Sequence, residues 1–207
     1  MGDSLRFWDR LAKKYAASPV ANPAAYAEKL KRTQALFKPD FEVLELGCGT
    51  GTTAIHHAPL VRHIRGTDLS PNMLSIARDK AARAGVTNVD FEVGDIESSS
   101  PLGGSYDMVM AHSLLHLLRD EKPAIGRIFD LVKPGGWFVS STACLSDMVP
   151  WLRFVAPLGQ AVGRLPQLCF FSAGQLAAEI EQAGFVITDR WQPKKGAAVF
   201  IIAQRPA

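Results

Sequence analysis

Apolar residues first recur at helical spacing. Leu5, Trp8, Leu11, Ala12 and Tyr15 share one helix face, and Ser18-Pro19 ends that helix. Asn22-Pro23 reads as an N-cap with proline at the first helical position. Tyr26, Leu30, Thr33 and Phe37 share a face of the second helix, and Pro39 lies just beyond. From position 41 the pattern changes. Compact apolar runs at 41–46, 61–67, 89–93, 106–111 and 137–141 read as strands, and 185–188 and 197–203 as two more. Helical stretches begin at Thr52, run from Ser70-Pro71 to near Gly85, span 123–132 up to Pro134-Gly135-Gly136, and span 173–183 up to Gly184. Alternation of this kind predicts an α/β fold with a mostly parallel sheet covered on both faces. The last two strands, joined by a short turn, predict an antiparallel hairpin at one edge. Residues 98–105 read as a short flexible loop.

Length and charge narrow the class. A chain of 207 residues fits one domain with a proper core. Its net charge of +3 comes from dispersed residues, with no basic block that would grip a phosphate backbone, so nucleic acid is not the expected partner. Cys48, Cys144 and Cys169 match no zinc or disulfide spacing, which suits a reducing compartment. The charged start at Asp3, Arg6, Asp9 and Arg10 reads as no signal peptide, and Arg6 stands where a myristoylation site wants Ser or Thr. With no apolar stretch of membrane-spanning length, the expectation is a cytoplasmic protein.

The candidate chemistry begins at the end of the first strand. Gly47, Gly49 and Gly51 alternate with small residues there, and a helix follows. Open parallel sheets bind ligands at the carboxyl ends of their strands. Glycine permits positive φ and close approach of backbone to ligand. The spacing is Gly-x-Gly-x-Gly, not the Gly-x-Gly-x-x-Gly of a dinucleotide fold, and no P-loop lysine follows. Alone, the loop is also readable as a tight strand–helix turn. Three acids sharpen it: Glu45 before the glycines, Asp68 at the end of the second strand, and Asp95, followed by Ile96, at the end of the third. A carboxylate at the second position suits ribose hydroxyls. An acid followed by an apolar residue suits an adenine edge.

The segments VLELGCGTG, GTDLSPNML, FEVGDIE, YDMVMAHSLLHLL and LVKPGGWFV resemble, in order and spacing, the successive motifs of class I S-adenosylmethionine-dependent methyltransferases. The similarity covers about positions 40–142. It implies a Rossmann-like seven-stranded sheet with an antiparallel last strand, and S-adenosylmethionine as cofactor, leaving as S-adenosylhomocysteine. By resemblance, the loop Gly47, Cys48, Gly49, Thr50, Gly51 flanks the methionine part, and Glu45 orients the loop or meets the amino group. Asp68 holds the ribose, with Leu69 and Met73 near the adenine, and Asp95 and Ile96 hold the adenine edge. Ala111, His112 and Ser113 line the pocket, and Tyr15 reaches the cofactor or acceptor. The resemblance divides the chain into an N-terminal helical cap (1–39), a cofactor-binding core (40–142), an apolar insertion (143–172) and a closing helix with strands (173–207).

For the acceptor, His112 and His116 are the candidate catalytic pair, four residues apart just after the fourth strand. Either serves as base or orients the acceptor; the alternative is a hydrogen-bonded structural histidine. No third ligand accompanies them, so no metal is expected. His56, His57 and His63 read as helix-surface or loop residues. The resemblance is strongest to the small-molecule branch of ubiquinone and menaquinone methyltransferases. It implies O- or C-methylation of a small apolar or aromatic acceptor. The alternatives are N-methylation of a small amine or lipid head group, or cofactor binding without catalysis.

The insertion is rich in large apolar groups. Trp151, Leu152, Val155, Leu158 and Val162 form one helical face; Arg153, Gln160 and Arg164 fall on a polar stripe, and Pro157 would kink the helix. Three readings stand: a lid over the acceptor, peripheral membrane contact through residues 148–165, or a helix packed on the core. Oligomeric state is not legible.

Overall fold

The computed structural model describes residues 2–98 and 103–207. Residues 99–102 of the expected 98–105 loop lie outside that set. Two helices come first, α1 (Gly2–Ala17) and α2 (Pro23–Gln34). The Asn22 side chain accepts from the Ala25 N–H, so the cap expected from Asn22-Pro23 is in place. Strands and helices then alternate: β1 (Glu42–Leu46), α3 (Thr52–His57), β2 (His63–Asp68), α4 (Pro71–Arg83), β3 (Val89–Val93), β4 (Tyr106–His112), α5 (Glu121–Leu131) and β5 (Val132–Thr142). After the short helices α6 (Leu145–Met148) and α7 (Leu152–Ala161), α8 (Ala173–Gln182), β6 (Val186–Trp191) and β7 (Val199–Gln204) close the sheet.

The seven strands run in the order β3-β2-β1-β4-β5-β7-β6. β7 is antiparallel to both β5 and β6, and the pairs among β1 to β5 are parallel. Strand order reverses between β1 and β4, and a crevice for ligand opens there at the carboxyl ends. Alternate strand residues serve opposite faces. Leu44, Leu46, Val109, Phe138 and Ile201 pack with Ile125, Ile128, Leu176 and Ile180 of α5 and α8. Val43, Ile64, Met108, Met110 and Phe200 pack with Ala54, Leu74 and Ala77 of α3 and α4.

Three sequence expectations change. The fifth helix starts at Glu121, not at Pro123, because Asp120 caps it by accepting from the Lys122 N–H at 3.1 Å. Pro134-Gly135-Gly136 does not separate helix from strand. The chain enters β5 at Val132, and 133–136 bulge out between the pairs Tyr106–Val132 and Met108–Trp137. His57 is not a surface residue: it is fully buried, edge-on to Phe37 at 4.9 Å between ring centroids. His56 is exposed, and His63 lies beside Glu42 and Asp90.

The insertion also departs from one of its readings. Trp151, Val155, Leu158 and Val162 point to solvent, and the inward residue of α7 is the small Ala156. A core-packed apolar face is therefore overturned. On the polar stripe the half-buried Gln160 donates to the Pro166 carbonyl at 3.0 Å, while Arg153 and Arg164 stay exposed and Arg153 donates to Ser146 Oγ at 3.2 Å.

Candidate active site

Short-range geometry builds the loop after β1. Gly47, Gly49 and Gly51 all have positive φ (64°, 53° and 71°), which most side chains resist. Their surroundings differ. A Cβ on Gly49 would meet little but the Tyr15 ring, at 3.8 Å, so this residue keeps the floor of a cavity open beneath α1. A Cβ on Gly51 would lie 2.6 Å from Phe91 and 2.8 Å from Ala77. Gly51 lines neither cavity described below, and its lack of a side chain lets α3 start tight against the β3 and α4 side chains.

Carboxylates hold the loop. Asp68, ending β2, accepts from the Gly49 N–H at 2.9 Å with one oxygen and from the Ser70 N–H at 2.9 Å with the other. Burial raises its pKa, against the lowering effect of these N–H bonds. Each oxygen keeps a further lone pair for a ligand hydroxyl. Glu45 is buried at the end of β1. Burial pushes its pKa up to about 8, offset in part by the Ala54 N–H and assisted by the Asp68 charge. Its Oε2 has no partner. A buried carboxyl oxygen without a donor is costly unless a ligand supplies one. Asp95 closes the next turn by accepting from the Glu97 N–H at 2.8 Å.

Two cavities meet over this loop. The first, about 360 Å³, is lined by Gly47, Gly49, Asp68, Leu69, Met73, Asp95 and Ile96, and on its other side by Trp8, Leu114, His116 and Leu117. The second, about 590 Å³, runs under α2 past Glu45, Cys48, Thr50, Lys29, Lys80 and Ser141. Tyr15, Gly47, Gly49, His112 and Ser113 line both. Burial raises the Tyr15 pKa, and the nearby Asp68 and Glu45 add to this.

The remaining expected residues fall as follows. Thr50 accepts from Lys80 Nζ at 2.8 Å. Cys48 turns its sulfur toward Gly66 in the core, and burial raises its pKa. Ala111 precedes His112 at the end of β4. Its side chain lies fully buried in the cluster on the α5 and α8 face, the cluster whose Leu46, Ile96 and Leu118 line the first cavity, and His112 follows it at the cavity. Ser113 is the one described non-glycine residue with positive φ (55°), and its N–H donates to the Ser141 carbonyl at 2.7 Å.

Both candidate histidines are held neutral at pH 7. Burial lowers the His112 pKa to about 4, with help from the Lys29 charge. Burial alone lowers that of His116 to about 4, and its Nδ1 has no partner. Among the described residues no group of three or more His, Cys, Asp or Glu converges as a metal site, and no helix is long and apolar enough to cross a membrane.

Sequence reasoning missed Lys29. Its Nζ donates to Ser141 Oγ at 2.5 Å, burial lowers its pKa, and among the described residues it makes no ion pair. The available signal was a lysine three residues after Tyr26, on the inward face of α2. Trp8 was read as a helix-face residue, not a cavity wall.

Comparison with known proteins agrees with this geometry. A methyltransferase domain family model matches residues 43–136. A ubiquinone biosynthesis O-methyltransferase from Methylobacterium sp. (strain 4-46) is 27% identical over 80% of this chain and 73% of its own length. Phosphoethanolamine N-methyltransferase 1 of Arabidopsis thaliana is 35% identical over 56% of this chain, and the match spans 24% of that protein. A demethylmenaquinone methyltransferase from Leptospira interrogans is 33% identical over 58% of this chain and 49% of its own length. The chain thus spans less than half of the latter two relatives. The fold is similar to that of the N-methyltransferase NodS from Bradyrhizobium japonicum WM9, solved with S-adenosylhomocysteine. The TM-score is 0.74 at 16% identity, covering 97% of this chain and 99% of that one. Over residues 43–136 the chain thus matches a methyltransferase domain, and its motif order and sheet topology are similar to those of S-adenosylmethionine-dependent methyltransferases.

Proposed function

We propose that this chain methylates a small apolar or aromatic acceptor, by O- or C-methylation of a quinone-like ring. The observation that carries the reading is the wall of the first cavity. Trp8, Leu114 and Leu117 surround His116, whose buried Nδ1 lacks a partner, beside the glycine loop. Bound S-adenosylmethionine supplies an electrophilic methyl and its own leaving group. The protein's share is to bind, orient and exclude water. Asp68 accepts from ribose hydroxyls with its remaining lone pairs, Leu69 and Met73 pack on the adenine, and Asp95 and Ile96 hold its edge. Glu45 receives the amino group, and Lys29 the carboxylate, of the methionine end. Trp8 and Tyr15 of the 1–39 cap shield the site. His112 and His116 are neutral at pH 7; with pKa values lowered to about 4 they are weak bases, better suited to accept a hydrogen bond from an acceptor hydroxyl and hold it in line than to remove its proton. The matches to ubiquinone and demethylmenaquinone methyltransferases support this acceptor class.

A second reading is N-methylation of a small amine or lipid head group. It is favoured by Lys29 and Lys80, two cations on the second cavity that suit a phosphate-bearing acceptor, and by the phosphoethanolamine N-methyltransferase match. Two experiments decide. Calorimetric titration with S-adenosylhomocysteine should give micromolar binding, with none for NAD. Transfer of labelled methyl to a demethylated quinone or catechol, set against phosphoethanolamine, then separates ring from amine. Tight cofactor binding without turnover on any acceptor would favour a non-catalytic protein.

A further inference from the structure

The solvent side of α7 is apolar along its length. Trp151 is 62% exposed, Phe154 82%, Leu158 73% and Val162 60%, with Val155 between them. Their spacing of three or four residues makes one continuous stripe. A folded monomer gains nothing by presenting such a stripe to water, and contiguous exposed apolar surface marks an interaction site.

What borders the stripe identifies its partner. Residues 148–165 contain Arg153 and Arg164 and no Asp or Glu. The C-terminal end of α7 touches α1, where Arg10 donates to the Gly163 carbonyl at 2.7 Å. Arg6, Arg10, Lys13 and Lys14 are all exposed, and positions 6, 10 and 13 fall on one face of α1. α1 carries the acids Asp3 and Asp9, and Asp147 lies on the neighbouring α6; the two of these with described side chains, Asp9 and Asp147, are engaged elsewhere. Asp9 accepts from Ser70 and Asn72, and Asp147 from the Ala173 N–H. An apolar ridge beside a basic face is the pairing that enters the interface of an anionic bilayer. The aromatic and aliphatic groups sink to the acyl boundary, and the cations meet the head groups. A two-fold pairing of this surface with a second copy would instead bring its cations together.

We propose that α7 and the outer face of α1 form a docking surface for an anionic lipid bilayer. The proposal is independent of the acceptor and of turnover. Its test is co-sedimentation of the full chain with sucrose-loaded vesicles, one set of phosphatidylcholine alone and one with about a third phosphatidylglycerol. The expected result is binding to the mixed vesicles at least about tenfold tighter than to the neutral ones, weakening as salt is raised. Phe154→Ser with Leu158→Ser should lower binding by on the order of a hundredfold, and Lys13→Glu with Lys14→Glu by about tenfold or more. S-adenosylhomocysteine titration checks that each variant keeps its fold. Failure of the wild-type chain to sediment with either vesicle overturns the proposal. Equal binding to both vesicles overturns it as well. So does concentration-dependent dimerisation in sedimentation velocity that the Phe154→Ser, Leu158→Ser pair abolishes.

Discussion

The loop after β1 and the segment around α7 are both short and glycine-containing, yet their sequences inform very differently. In the loop each residue is constrained by neighbours close in the chain or by one strand end. Gly49 N–H meets Asp68, Gly51 is wedged against Phe91, and Glu45 is buried by the strand it ends. In α7 most of the apolar stripe is left uncovered by the described residues. Apolar periodicity says that a helix has a face; it does not say what covers that face.

The contrast predicts where changes are felt. The largest effect concerns folding and pH. The folded pKa of His57 is lowered to about 3, and those of His112 and His116 to about 4, from 6.5. These groups lose stability as pH falls below 6.5 toward those values. Glu45 has the opposite sign: raised from 4.5 to about 8, its contribution is full below 4.5 and lost as pH rises through 8. The two trends oppose each other between pH 4.5 and 6.5. Urea titration of Glu45→Gln at pH 7 and 4 should therefore uncover the acid-side loss, on the order of 3 kcal/mol for fully buried His57 alone. A flat profile would mean that these histidines are solvated in the folded state.

Gly51→Ala comes next. The positive φ and the close approach to Phe91 should cost about 2–4 kcal/mol in thermal or urea unfolding. A loss under ~1 kcal/mol would show that the loop tolerates side chains and that its glycines are not set by packing. Asp68→Ala should weaken S-adenosylhomocysteine binding by about 1.5–3 kcal/mol in calorimetry, since a charged acceptor is removed. Unchanged affinity would move the ribose elsewhere. Cofactor affinity should also rise with pH below 8, by at most about tenfold per unit, because Glu45 must release its proton to receive an ammonium. Glu45→Gln should flatten that slope. Phe154→Ser should change stability by no more than about 0.5 kcal/mol, the smallest effect of the set. A large loss there would mean that the stripe is covered by its own chain and would erase the contrast.

Legibility in the sequence follows the same division. β3 lies where the sequence places it, and the caps at Asn22 and Ser70 mark their helix starts, since capping is settled within a few residues. Ala111 and Cys48 lie in the motifs that carry the resemblance, but the side each Cβ takes depends on packing beyond the motif, and so does the space that leaves no room for a Cβ at Gly51. Lys29 could not be found from the loop at all. It reaches the second cavity from α2, twenty residues upstream of Gly49, and only the packing of that helix over the sheet brings it there. His57 looks like a polar helix end until Phe37 covers it.

The sheet order has a consequence for synthesis. β7 lies between β5 and β6, though it follows both in the chain. A nascent chain that has emerged through β6 has no sheet neighbour for that strand, and the Phe138 edge of β5 stays open until β7 arrives. The glycine loop and its carboxylates can assemble well before then, on β1, β2 and β4. For that interval the ribosome carries a five-stranded sheet with an unpaired edge, an arrangement prone to wrong pairing.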